Sequence, residues 1–146
     1  MVPTFRSEGD FVLVESLSLH FPSLRPLARG DIVTFVSPLD ARVSVCKRVI
    51  GLEGDRVLVD PQASDSEWTN VPRGHIWVLG DNLESSRDSR LYGPVSKALL
   101  RGRVLAQVCG SYPHAGWSSV LIAISYSSIL AFGYFLPIRS LQVQLC

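Results

Sequence analysis

HIWVLGDNLESSRDSRLYGP, residues 75–94, decides the reading of this chain. Its first five residues, His75 to Leu79, are aromatic, β-branched or aliphatic and suit a short strand, so Gly80-Asp81-Asn82 falls where that strand must turn. Gly, Asp and Asn tolerate tight and left-handed backbone geometry, which accounts for the start of the run as turn chemistry. Turn chemistry does not account for the remainder: Ser86, Asp88, Ser89 and Arg90 in close succession, then Tyr92 before Gly93-Pro94. On its own this run has two readings. It is a loop held by an Asp/Arg pair, or one wall of a site whose other half lies elsewhere in the chain.

Outward from this strand and turn, the same pattern repeats. Short apolar segments separated by Gly, Pro and Asp turns predict strands near Phe11–Glu15, Asp31–Val36, Ala41–Ile50, Arg56–Asp60 and Arg103–Val108, an all-β arrangement. Leu17 to Arg29 contains Pro22 and Pro26 and reads as a loop crossing between strands. PQASDSEWTN, Pro61 to Asn70, is polar and acidic and reads as an exposed loop with Trp68 folded back. Ser96 to Leu100 suits one helical turn. With 146 residues the chain can bury one core, and its 47% hydrophobic content is slightly high for a soluble protein. A formal charge of +1 disfavours a nucleic-acid surface, and Arg101 and Arg103 around Gly102 read as one solvated strand face. Cys46, Cys109 and Cys146 are too widely spaced to imply a disulfide framework or a zinc site, and His20, His75 and His114 lie at no metal-ligand spacing. No cofactor is expected.

The candidate other half of the site is Lys47, in ARVSVCKRVI, Ala41 to Ile50. Strand alternation puts Val43, Val45, Lys47 and Val49 on one face and Arg42, Ser44, Cys46, Arg48 and Ile50 on the other. A lysine on a valine face is partly desolvated, and desolvation lowers an amine's pKa toward the range of a general base. The alternative is snorkelling, with the stem on the valines and the ammonium in water. Arg48, on the opposite face, reads as an ordinary solvated charge.

Three segments together resemble type I signal peptidases: MVPTF at 1–5, CKRVIGLEGDRV at 46–57 and GDNLESSRDSRLYGPV at 80–95. VPRGHIWVLGDN at 71–82 and GPVSKALLRGRV at 93–104 fit the mitochondrial inner-membrane branch of that family, and the resemblance runs to about Val108. It implies a LexA-like coiled β-sheet or barrel domain over residues 1–108. It also implies that Lys47 acts as general base toward a serine nucleophile, and that Ser86 hydrogen-bonds this lysine. Asp88 and Arg90 would support the site from behind, on a turn formed by Gly80, Asp81 and Asn82. The implied activity is a serine/lysine endopeptidase that removes sorting peptides from presequence-bearing proteins bound for the intermembrane space. It would sit in the mitochondrial inner membrane beside a second protease subunit, with its catalytic domain facing that space. A desolvated amine held against a hydroxyl needs no histidine for this chemistry.

In the family pattern the nucleophilic serine directly precedes Met-x-Pro-Thr, a position that lies before Met1. The chain as written is therefore expected to carry the base without the nucleophile and to be inactive. Ser7, six residues downstream, is too far to substitute at an attack distance of roughly 3 Å. A non-catalytic binding or structural subunit of an inner-membrane protease is the alternative function.

Residues 109–146 form an apolar tail outside the resemblance. Trp117 to Ile138 has no charged residue over 22 positions, enough for a helix to cross a hydrocarbon core of roughly 30 Å, although five serines, Gly133 and Pro137 weaken it. The readings are a transmembrane helix, a segment packed on the domain, or a coding sequence read through its natural end. MVPTFRSEGD resembles neither a secretory signal nor an Arg-rich transit peptide.

Overall fold

The structure is a computed structural model that describes residues 3–5, 11–108 and 141–145. The 117–138 segment, Ser7 and His114 lie outside the described residues. Among the described residues, no helix is long and apolar enough to cross a membrane.

The architecture is β-rich with short helical turns. The strands are β1 (Phe11–Glu15), β2 (Ile32–Val36), β3 (Ser44–Gly51), β4 (Arg56–Leu58), β5 (Trp68–Asn70), β6 (His75–Leu79), β7 (Val95–Ser96), β8 (Leu100–Val108) and β9 (Leu141–Leu145). Two single-turn helices, α1 (Leu17–His20) and α2 (Ser89–Tyr92), and a 3-10 turn at Lys97–Leu99 complete the order. One sheet runs β7-β6-β3-β2-β8-β1-β9, and β4 pairs with β5 as a separate ribbon. β1 and β6 fall on the segments that their composition predicts. β3 begins at Ser44 rather than Ala41, because Asp40 turns the chain first: its carbonyl accepts from Val43 N at 3.0 Å and its carboxylate from Arg42 N at 2.9 Å.

The sheet is covered on both sides at its centre. Val33, Phe35, Val49, Ile76, Val78 and Val95 form the main buried cluster, with Val45 packed against it. On the other side Phe5, Val12 and Val14 bury one another, with Ile32, Cys46 and Val104 alongside. β6 is buried on both faces, since Trp77 and Leu79 pack with Val57 and Val71 under the β4–β5 ribbon.

Two expectations fail here. Arg103 is not a solvated charge: it is 1% exposed, its Nε lies 3.3 Å from Asp31 Oδ2, and its Nη2 donates to the carbonyls of Arg25 at 3.3 Å and Pro26 at 3.1 Å. It pins the crossing loop that follows α1, residues 21–29, to β8; the first turn of the expected 17–29 loop is helical instead. Burial pushes the Arg103 pKa down, against the pull of Asp31. Arg103→Ala, which would release that loop and leave Asp31 short of a partner, is expected to lower unfolding free energy by about 3 kcal/mol, read as a lower urea midpoint at unchanged slope. Nor is Trp68 folded back. It stands on β5, 58% exposed, with the Arg56 guanidinium 5.5 Å above its ring.

Candidate active site

β3 and β6 are antiparallel neighbours with Arg48 opposite Leu79, so the residue before Arg48 comes level with the turn after Leu79. This register brings Lys47 to the 80–94 run. Lys47 Nζ donates to Ser86 Oγ at 2.7 Å. The contact is close because Gly80 lies against it. A Cβ at residue 80 would fall 2.0 Å from Ser86 Oγ and 3.2 Å from Lys47 Nζ. Here glycine is required by space, not by backbone angle.

Burial lowers the Lys47 pKa below the usual lysine range, and the Arg90 charge pushes the same way. The charges of Asp88, Cys46 and Asp81 pull it back up without cancelling the shift. The stem therefore lies in the protein and the amine on a hydroxyl, which departs from a snorkelling lysine in water.

Asp88 is fully buried and organises the run behind Ser86. It is the N-cap of α2, its Oδ1 accepting from the backbone N–H of Arg90 at 3.2 Å and from Arg90 Nε at 3.0 Å. Its Oδ2 accepts from Gly80 N at 3.0 Å and from Arg90 Nη2 at 3.2 Å. Burial pushes this carboxyl up, but the bonds from Arg90, Gly80 and Ser86 outweigh it and hold the pKa below the usual carboxylate value. Arg90 Nη2 also donates to the carbonyls of Leu83 and, at 3.4 Å, Ser86. Asp88 and Arg90 thus tie together the end of β6, the 83–86 segment and α2. Ser89 adds a bond that its place in the run did not foretell, accepting from Val78 N at 3.0 Å. α2 stops at Gly93, whose φ of 77° suits a residue without a side chain.

Arg48 overturns its reading as a solvated charge. Its Nε and Nη2 donate to Asp81 Oδ1 and Oδ2 at 2.9 and 2.8 Å, a two-point pair, while Nη1 reaches Gly30 O at 3.0 Å. The Arg48 guanidinium is the largest influence holding the Asp81 carboxyl below its usual pKa. The Thr4 hydroxyl donates to Asp81 Oδ2 and lies 3.3 Å from Arg48 Nη2, and Phe5 is buried beside it against Val12 and Val14. Asp81 is consequently more than a turn residue, since it joins β3 to segment 3–5. Asn82 keeps a turn role, its side-chain carbonyl accepting from Glu84 N at 3.3 Å. Strand alternation places Arg48 on the right face but cannot say that segment 3–5 covers that face.

His20 and His75 each bond a nearby backbone carbonyl, of Ser16 and Arg73, away from this cluster. Among the described residues, no group of three or more His, Cys, Asp or Glu is placed to hold a metal ion.

A half-buried amine, lowered in pKa by burial and held on a hydroxyl beside a buried Asp/Arg pair, is an arrangement suited to proton transfer. The profile of the signal peptidase family, peptidase S26, matches residues 1–63 and 59–109, and the chain belongs to this family. Among curated relatives, it is 43% identical over 122 residues to mitochondrial inner membrane protease subunit 1 of Schizosaccharomyces pombe, covering 84% of this chain and 74% of that protein. The Xenopus tropicalis protein of the same name is 50% identical over 109 residues, covering 74% of this chain and 63% of that one. The chain thus spans between about three fifths and three quarters of the length of these relatives. A solved signal peptidase I from Enterococcus faecalis is 28% identical with a TM-score of 0.45, covering 55% of this chain and 97% of that one.

Proposed function

We propose that this chain is the catalytic domain of a serine/lysine endopeptidase of the mitochondrial inner membrane, with Lys47 as general base. It cleaves sorting peptides from proteins delivered to the intermembrane space, and it works beside a second protease subunit. The observation that carries the reading is the 2.7 Å bond from Lys47 Nζ to Ser86 Oγ beside Gly80. Family membership and the names of the relatives support the site of action and the multi-subunit setting.

In this reading the neutral Lys47 amine takes the proton of a serine at the position directly before Met1. That serine oxygen attacks the substrate carbonyl, and the Lys47 ammonium returns the proton to the leaving amine as the peptide bond breaks. A water molecule, deprotonated by the same amine, then hydrolyses the acyl-serine. Ser86 holds the amine on line while Asp88 and Arg90 hold Ser86.

A chain carrying a serine directly before Met1, the serine-bearing chain, is expected to cleave a presequence peptide, and Lys47→Ala to reduce that cleavage by at least about a thousandfold. Undiminished activity in Lys47→Ala would refute the base assignment. The pH profile supplies a further check. Because the Lys47 pKa is lowered, the neutral amine is populated below the ordinary 10.5, so kcat/KM should rise through a limb lying below that value. A limb at or above 10.5 would show a solvated lysine.

A further inference from the structure

The Arg90 guanidinium has two edges. One, formed by Nε and Nη2, is taken by Asp88 and by the carbonyls of Leu83 and Ser86. On the other edge, Nη1 lies 3.6 Å from Asp60 Oδ1. Asp60 comes from outside the 80–94 run, in the connection between β4 and β5.

Its carboxylate is set in place by its own loop. Asp60 Oδ1 accepts from Gln62 N at 3.0 Å, Asp60 N donates to Ser66 Oγ at 2.7 Å, and Val59 N to Glu67 O at 2.8 Å closes the loop behind it. The ribbon that carries this loop is anchored by Val57 and Val71, packed against Trp77 and Leu79 of β6. A pair between Asp88 and Arg90 alone joins residues two apart in one turn and can shift with that turn as a unit. Asp60 ties the guanidinium to a separate, packed element.

We infer that Asp60 is a positioning residue of the site: acting through Arg90, it fixes the Leu83–Ser86 segment and so sets Ser86 Oγ against Lys47 Nζ. This rests on the Ser86–Lys47 reading proposed above. It gives the acidic β4–β5 connection a part in the site, although no residue of that connection reaches Lys47.

The test uses Asp60→Asn, which keeps an acceptor for Gln62 N and removes the charge facing Arg90. In the serine-bearing chain it is expected to lower kcat about threefold with KM unchanged, the scale of a partly exposed ion pair. In a Ser86→Ala background the same substitution should have no further effect, because the residue through which it acts is gone. In the 146-residue chain it should speed amide exchange over residues 83–90 and leave β6 unchanged, at an unaltered melting temperature. Unaltered kcat together with unaltered exchange, or an equal loss of kcat in both backgrounds, overturns the inference. If Ser86→Ala alone costs nothing, the Ser86–Lys47 reading has failed instead, and the exchange measurement still decides whether Asp60 tethers the segment.

Discussion

Gly80→Ala is expected to cost the serine-bearing chain about a hundredfold in kcat while the protein remains folded. The added methyl would sit 2.0 Å from Ser86 Oγ and 2.6 Å from Ser86 Cβ. Rotating the serine side chain relieves the first clash and not the second, so the backbone at residue 86 has to retreat. Lys47 Nζ, 3.2 Å from the same methyl, loses its bonded partner as that partner leaves. Displacement of a catalytic group by about 1 Å costs on the order of a hundredfold. The urea midpoint of the variant measures folding separately from kcat. A parental kcat in folded Gly80→Ala would mean that Ser86 does not orient the base.

Asp88→Ala is the change expected to damage stability most within the 80–94 run. It leaves Arg90, itself mostly buried, without its nearest carboxylate, and strips the acceptors from Gly80 N and Arg90 N. Breaking one side of a buried, hydrogen-bonded pair costs about 3–5 kcal/mol. The variant should show a matching fall in urea midpoint at about pH 7. Asp88→Asn, which keeps one oxygen acceptor, should lose less. The linkage with pH has a definite sign. The folded Asp88 pKa lies below the ordinary 3.8, so this carboxylate contributes stability that is present above 3.8 and lost as pH falls through the folded value. Asp88→Asn should therefore flatten the stability curve below about pH 4, and an unchanged acid slope would count against the Asp88–Arg90 bond as its source.

How much of the fold and site was legible in the sequence depends on whether the partner of each residue was local. β1 and β6 were readable because alternation and bounding turns are short-range signals, and the Gly80–Asn82 turn because three turn formers stand together. Lys47 on a valine face was readable for the same reason, and the family motifs linked it to the 80–94 run. Arg48 was not, since period two assigns a face without saying what lies on it, and its cover is Thr4 and Phe5 from more than 40 positions away. Arg103 failed similarly. A charge next to glycine looks solvated until Asp31 and the Arg25 and Pro26 carbonyls arrive from a distant loop. β5 was hidden because Trp68-Thr69-Asn70 is too short and too polar to announce a strand, and pairs only because Arg56–Leu58 lies opposite.

The short bonds from the 80–94 run to the end of β6 have one more consequence. β7 pairs with β6 only at His75 and Ile76, and beyond that point an exposed strand edge would invite another chain to add to the sheet. Val78 N and Gly80 N, the next donors along, are instead taken by Ser89 Oγ and Asp88 Oδ2. Two side chains thus finish an edge that the backbone leaves unfinished. A Ser89→Ala protein that still cleaves but self-associates would show that this wall protects the sheet from other copies of itself as well as holding the base.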